Sequence, residues 1–517
     1  MKFKFLLLSL FCSAFSFAQM QDIAKLADGK LIFNTTLFDS ENNLYGYFYI
    51  YERDIDKTSK KMEFVLLDKN LNKTSNGTYN DSILPRNLTS YYYDCTLMGD
   101  HVILDKVYKY TKFISVGSDF LLNTYQIISL KDNSISPEFK YENGQFMELT
   151  TEIKNLKKEN KNVDTKNMMS AYSNNSQKGF FITEYNKYNK KHLENEFKFF
   201  NENKQLQWSY EYNPNGKSRD FKIFHFQYVN NNNLYITESR FKNDNNIEYK
   251  IVALDFSTGK KKYEYVFENN KSKYRHNFEL KEIDNKLIIS GGYVPYRAGG
   301  TFFHNKCIGL FKIVLDENGN EIQKKYIKWI DLSDKIKISK RGRVKKNFML
   351  LKKKTFFFEN GLVSILTEKY KPEVTGFVLP IPLINFAMYL ATHRSQRTSD
   401  FILLNFDKDF NLSKVDTIKK DLTKENGTDY LFSQYIKNDK GVVFFYSNQS
   451  KDENQKRNRV LGINTLINGE LSQERIPIYS KKEYLIEPLP AKEGYIMLRE
   501  YNEKDKYNQL RLEKLNY

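Results

Sequence analysis

Residues 276–293, HNFELKEIDNKLIISGGY, alternate apolar and polar side chains up to Ile283, turn at Asp284-Asn285, and then resume as a second apolar run. Period-two alternation on both sides of a short Asn- or Gly-containing turn is the pattern of a β-hairpin. The same pattern recurs along the whole chain. It is read again at residues 23–38 (IAKLADGKLIFNTTLF), 91–108 (YYYDCTLMGDHVILDKVY), 168–185 (MMSAYSNNSQKGFFITEY), 221–238 (FKIFHFQYVNNNNLYITE), 350–368 (LLKKKTFFFENGLVSILTE), 431–448 (LFSQYIKNDKGVVFFYSN) and 484–501 (YLIEPLPAKEGYIMLREY). The second strands begin near Lys30, Asp100, Gly179, Leu234, Lys286, Gly361, Gly441 and Gly494, a repeat of about 53 to 80 residues.

A further hairpin follows each of the middle copies, as in EFKFFNENKQLQWSYEY (196–212), EYKIVALDFSTGKKKYEYVF (248–267), CIGLFKIVLDENGNEIQKKYIKW (307–329) and FILLNFDKDFNLSKVDTIKK (401–420). Two hairpins give four antiparallel strands per repeat. Such a sheet cannot cover both of its faces alone, but sheets packed radially cover one another. The expected fold is therefore all-β, a single β-propeller of about eight four-stranded blades, with seven blades as the alternative. A β-sandwich array would need Pro- or Ser-rich linkers between units, and the chain has none. One short helix is expected at Met147 to Lys161, where Leu149, Ile153 and Leu156 fall near helical spacing. The last repeat stops one strand short. Residues 20–27 either close the ring on it or form the first strand of blade 1, and the repeat alignment favours the second while the missing strand favours the first.

Residues 1–18 carry Lys2 and Lys4, an apolar run from Phe5 to Phe11, and Ser16-Phe17-Ala18 before Gln19. This is the anatomy of a signal peptide cleaved after Ala18, too short to span a bilayer, which leaves 19–517 as the propeller domain, closed by pairing of its N- and C-terminal strands. Phe11 before Cys12 does not fit a lipoprotein signal. The expected location is periplasmic or extracellular, with no transmembrane segment in the mature chain. Net charge is +18, from 81 Lys and Arg against 63 Asp and Glu. An A/T-rich coding sequence, which favours Lys, Asn, Ile, Tyr and Phe, accounts for such a balance; so does selection for acidic partners, which outside the cytoplasm are an anionic glycan, lipid phosphate or envelope protein and not nucleic acid. The mature chain keeps only Cys95 and Cys307, so cysteines do not hold the fold together. Blade assignment puts them three blades apart, too far to bond.

At residues 251–267, IVALDFSTGKKKYEYVF, the Ala-Leu-Asp, the Thr-Gly and the aromatic of the last strand resemble the repeat of pyrroloquinoline-quinone-type propellers. Residues 313–329, ending in Trp329, and QLQWSYEY with Trp208 are similar. In that family a tryptophan in nearly every blade locks neighbours together, and this chain has 2 Trp, so the resemblance implies the architecture and no cofactor. The leader and the Lys/Asn/Tyr-rich body also resemble exported propeller-like proteins of unassigned function common in Bacteroidota.

Chemistry-bearing motifs are sparse. His101, His192, His225, His276, His304 and His393 show neither HxH nor HExxH spacing, so no metal site is expected. GxGxxG, Walker and GxSxG patterns are missing, and no catalytic residue is assigned. Residues 316–321, DENGNE, read as a hairpin turn and not as a calcium loop. The long excursions, 111–122, 142–170, 291–306, 330–347 and 371–399, all join second to third strands or one blade to the next, so one face of the ring carries them. Residues 334–346, DKIKISKRGRVKK, hold seven basic side chains against Asp334. Residues 376–392, GFVLPIPLINFAMYLAT, are apolar and either plug the propeller mouth or dock a partner, plugging being the better reading. Arg297, Arg341, Arg343, Lys345 and Lys346 are the expected ligand-binding residues, and a non-enzymatic scaffold binding an anionic envelope component is the expected function. A glycan-active hydrolase or lyase with carboxylates gathered at the axis is the alternative.

Overall fold

The structure, a computed structural model, describes residues 20–516 apart from 40–42, 57–58, 85–87, 112–117, 143, 150–164, 174–177, 187–195, 212–220, 231, 244–245, 268–273, 296–306, 341, 373–395, 426–428, 437–439, 452–456 and 479–483. Eight antiparallel sheets follow one another along the chain. Blade 1 spans 30–82, blade 2 88–148, blade 3 165–211, blade 4 221–266, blade 5 274–328, blade 6 349–425 and blade 7 430–478. Blade 8 is made of Leu485–Leu489, Tyr495–Asn502 and Tyr507–Lys514, with Met20–Asp22 as its fourth strand. First strands of successive sheets lie beside one another, as Leu88–Met98 of blade 2 does between those of blades 1 and 3. Each sheet therefore radiates from a central axis, with its first strand innermost: an eight-bladed propeller.

Eight hydrophobic clusters occupy the eight seams between blades. Middle strands are apolar on both faces because both faces meet a neighbour. Gly309–Leu315, GLFKIVL, is buried at every position, and residues 62–67 of Ser59–Asp68, MEFVLL, are likewise buried. Outer strands regain alternation, as in Lys73–Ser82.

The turns joining third to fourth strands in blades 1, 3, 5 and 6 share one device. In blade 5 the Asp316 carboxylate accepts from the N–H groups of Asn318 (2.9 Å) and Asn320 (2.7 Å) and from Asn320 Nδ2 (2.9 Å). Asp68 with Asn72, Asp407 with Asn411, and Asn201 with Gln205 make the same clamp. A hairpin turn is expected at residues 316–321; the structure adds that the Asp316 side chain holds it. Each clamp forces its fourth residue into the left-handed region: Leu71 (φ 65), Lys204 (φ 63), Gly319 (φ 82) and Phe410 (φ 58). Leu and Phe bear that strain because of where it sends them. Leu71 enters the cluster of blade 8, Phe410 that of blade 5, and the Lys204 ammonium lies 3.9 Å from the Phe139 ring of blade 2. At Gly319 a Cβ would stand 2.3 Å from the Tyr263 ring of blade 4, so only glycine fits. Each turn is docked on the preceding blade.

Ring closure resolves the status of residues 20–27. Met20–Asp22 pairs antiparallel with residues 509–511, and Lys30–Phe38 is the first strand of blade 1, not the second strand of a hairpin. Gly29 imitates the turn glycine of the other copies, which is what displaced the alignment by one strand. The 3-10 turn Ile23–Lys25 follows; Ile23 is fully buried between blades 8 and 1, and its carbonyl accepts from Tyr51 Oη at 2.9 Å. The expected helix at Met147 is also corrected: Met147 and Glu148 belong to Gln145–Glu148, a fifth strand on the edge of blade 2, where Phe146 packs edge-on against Tyr141 and Phe200. Residues 150–161 lie outside the described residues. Cys95 and Cys307 are both free, in blades 2 and 5.

Phe410 makes the docking testable. Phe410→Ala removes a fully buried ring from the blade 5–6 seam and should cost about 3–5 kcal/mol. Lys408→Ala, which alters an exposed side chain two residues earlier, should change stability by under about 0.5 kcal/mol. Urea midpoints of the two variants check the difference, and equal midpoints would show that the turn is not docked.

Candidate functional site

In four-stranded blades of this hand, connections from second to third strands and from blade to blade leave by the same end of the ring. The opposite end carries the clamped turns. Of the blade-to-blade connections, residues 329–348 between blades 5 and 6 are the longest that the structure describes nearly throughout.

The connection is anchored from beneath. Trp329, 1% exposed, opens a 3-10 turn (Trp329–Leu332) and donates from Nε1 to the Cys307 carbonyl at 2.7 Å. Leu332, Ile338, Val344 and Phe348 are buried in the same blade 5–6 cluster. Gly342 (φ 68) lies against the indole, where a Cβ would stand 2.8 Å from Trp329 Cδ1. A small turn is closed by Ser339 N to Arg343 O (2.8 Å), Gly342 N to Ser339 O (2.9 Å) and Arg343 N to Ser339 Oγ (3.1 Å). Lys335 Nζ donates to the Leu412 carbonyl of blade 6.

With the apolar side chains facing in, the charged ones face out. Lys337, Lys340, Lys345 and Lys346 are exposed and Arg343 is half-buried. None of these five makes an ion pair among the described residues, although lysines elsewhere in the ring commonly do. The structure thus brings Arg343, Lys345 and Lys346 together on one anchored ledge. Arg297 and Arg341 lie outside the described residues, as does the apolar stretch 376–392. Lys337 and Lys340 join the ledge although they were not among the expected binding residues; the inward apolar spacing of Ile338, Val344 and Phe348 was the signal that would have placed them.

Sequence reasoning missed a buried ionic network near the same end of blades 6 and 7. Lys420, with a fully buried side chain, meets Glu368 Oε1 at 2.8 Å and Asp429 Oδ2; Lys353 meets Glu368 Oε2 at 2.8 Å. Thr423 and Asn448 donate to Asp429 at 3.0 and 3.2 Å. Burial alone would raise the Glu368 carboxyl, but Lys420 and Lys353 hold it below its ordinary range. The network ties the blade 6–7 crossover down, a structural role.

Among the described residues no group of three or more His, Cys, Asp or Glu side chains could hold a metal ion. His192, His304, His393 and the His225 side chain are not among those described. His276 is buried, its Nε2 2.9 Å from Tyr326 Oη and its ring stacked on Phe267. Burial, and then the nearby Lys324 charge, lower its pKa from 6.5 to about 4, so it is neutral in the fold. On acidification the unfolded chain takes up this proton first. Stability should therefore fall between about pH 6.5 and pH 4, by up to about 3 kcal/mol, and level off below. Urea midpoints measured across that range should fall less in His276→Gln; an identical pH slope would remove the histidine as the cause.

No curated protein matches the chain in sequence. Among solved structures, the WD40 domain of SCAP from fission yeast is similar, at 9% identity over 95% of this chain and 97% of that one, with a TM-score of 0.39. The β-propeller domain of the Trilobed protease from Pyrococcus furiosus gives 10% identity, 86% and 98% coverage and a TM-score of 0.33. The quinohemoprotein alcohol dehydrogenase ADHIIG from Pseudomonas putida gives 10%, 96% and 76%, and 0.41. The sequence profile of a family of unknown function, DUF6770, matches residues 1–426 and 414–516, and the chain belongs to that family.

Proposed function

We propose that the chain is a non-enzymatic binding scaffold that holds an anionic component of the cell envelope against the face carrying the blade 5–6 connection. One observation carries this reading. Among the described residues, five cationic side chains, Lys337, Lys340, Arg343, Lys345 and Lys346, stand without carboxylate partners on a segment fixed by Trp329 and its apolar neighbours. A solvated lysine-rich loop has no need of such an anchor, whereas a binding surface gains by it, because fewer conformations are lost when the ligand arrives. Guanidinium and ammonium groups suit phosphate, sulfate or carboxylate. The leader read at residues 1–18 would deliver the chain to the periplasm or beyond, where such groups are borne by glycans, lipids and acidic proteins. Among the described residues no helix is long and apolar enough to cross a membrane. Arg297 and Arg341 are proposed to add to the same surface.

An exposed charge contact contributes about 0.5 kcal/mol, so losing four should weaken binding about ten-fold or more. Replacing Arg341, Arg343, Lys345 and Lys346 with Ser should lower the salt concentration that elutes the mature chain from a sulfated or phosphorylated matrix. Replacing Lys69, Lys131, Lys286 and Lys440, exposed lysines at the opposite end of the ring, should change elution far less. Equal losses from the two quadruple variants would reduce the effect to diffuse net charge.

A further inference from the structure

A second surface, remote in sequence from the ledge, lies on the inner part of blade 2. Its first strand, Leu88–Met98, is innermost in the ring. In a protein that buries most of its large aromatic side chains, this strand leaves Tyr93 67% and Tyr91 39% exposed. A register shift between Tyr92 and Asp94 takes Tyr93 out of the ladder and turns it outward, while Tyr92 stays buried in the blade 1–2 seam.

Pairing fixes what shares the face. Tyr91 lies opposite Val107 and Asp94 opposite Asp105, so Lys109, Val107 and Asp105, alternate residues of His101–Thr111, stand on the same side of the sheet as Tyr91 and Asp94. The Lys109 ammonium is 4.8 Å from the Tyr91 ring centre and makes no ion pair among the described residues. Asp94 is exposed, and among the described residues its Oδ1 accepts only from the Cys95 N–H at 2.8 Å while the buried Asp105 Oδ1 has no hydrogen-bond partner. A half-buried carboxyl left unpaired beside another carboxylate is destabilising, and such groups concentrate at functional sites.

We propose that this inner face of blade 2 is a glycan-binding platform, with Tyr91 and Tyr93 stacking on pyranose rings while Asp94, Asp105 and Lys109 bind their polar substituents. The chemistry selects among occupants. Nucleic acid would meet the two carboxylates as like charge, and an apolar peptide would leave them unpaired in a drier site. A pyranose has an apolar face of C–H groups for an aromatic ring and hydroxyls at its edge for carboxylates. Burial, and then Asp94, raise the Asp105 carboxyl to about 7, so near neutrality it both donates to and accepts from a hydroxyl. Lys109 adds a point of contact for a carboxylate or an oxygen substituent. The platform does not depend on the ledge reading, since the two surfaces share no residue.

Calorimetry of the mature chain against maltohexaose, chitohexaose and hexagalacturonate tests it. At least one of the three should bind; Tyr93→Ala should weaken that binding more than ten-fold and Tyr91→Ala several-fold, while Tyr93→Phe retains it. Because Tyr93 is largely exposed, Tyr93→Ala should melt with the parent protein. The bound sugar should also protect Tyr93 from nitration. The ledge variant with four serines should bind maltohexaose or chitohexaose as the parent does, and with hexagalacturonate it should still lose affinity on Tyr93→Ala, which separates failure here from failure of the anionic-ligand reading. No heat with any of the three probes at millimolar concentration, or equal affinity in Tyr93→Ala, overturns the proposal.

Discussion

A ring of eight sheets without a disulfide stands or falls with the grip between neighbouring blades, and in this chain the recurrent grip is a turn. An Asp or Asn side chain closes a five-residue loop on its own backbone, the fourth residue is thrown into the left-handed region, and that residue meets the blade before it. The strain of a left-handed Leu71 or Phe410 costs about 1 kcal/mol. Burial of the same side chain contributes about 2 kcal/mol or more, so the contact wins. Local chemistry and long-range packing agree at these turns, and that agreement fixes the angle between blades. Trp208 works in the same sense, donating from Nε1 to the Phe256 carbonyl of the next blade at 3.0 Å. Trp329 does not bridge in this way; it supports the connection that leaves its own blade.

The two ends of the ring consequently differ in freedom. At the clamped end the third-to-fourth-strand turns of blades 1, 3, 5 and 6 are short and doubly committed, to their own Asp or Asn and to the blade before. Connections at the other end carry no such obligation and can lengthen without loosening a seam. Where one does lengthen it must be pinned again, and the two that are visible use different means. The blade 5–6 connection is pinned by apolar contacts with Trp329. The blade 6–7 crossover is pinned by the Lys420, Asp429 and Glu368 charges, whose mutual attraction offsets a desolvation cost of several kcal/mol per ion. An apolar anchor leaves the cationic side chains outside without carboxylate partners among the described residues, and this is why the first connection and not the second presents uncompensated charge to solvent.

How much of this was legible follows from which interactions are local. Hairpins betray themselves by alternation, so the blades were readable, and Asp316 announced its turn by Asp, Asn and Gly within four residues. Blade 1 was misread by one strand because Gly29 looks like a hairpin turn; the pairing that decides the matter, Gln21 with Leu510, joins opposite ends of the chain. Phe146 gave the fifth strand of blade 2 no local mark, since its purpose is to reach Phe180 and Phe200 of blade 3. The basic run at 334–346 was visible as charge, but its anchoring was not, because Gly342 and Trp329 meet only after the chain has turned. Lys420, Glu368 and Asp429 are each ordinary in sequence and become a network only by assembly.

The same limit governs the two candidate surfaces and gives them different physical characters. Charge on the ledge acts at a distance: a surplus of unpaired cations raises the local concentration of anions over roughly a Debye length, about 8 Å at physiological ionic strength, and does so for any anion. The inner face of blade 2 acts only on contact. Asp94 and Lys109 offset each other's charge beside Tyr91 and Tyr93, so the face attracts little from afar, and selectivity there would rest on an aromatic surface and oriented polar groups a few ångströms apart. A polymer that is both acidic and built of sugar rings would satisfy both kinds of surface at once, held loosely by the first and identified by the second. Attraction without the second would retain any polyanion; recognition without the first would wait on unassisted encounter.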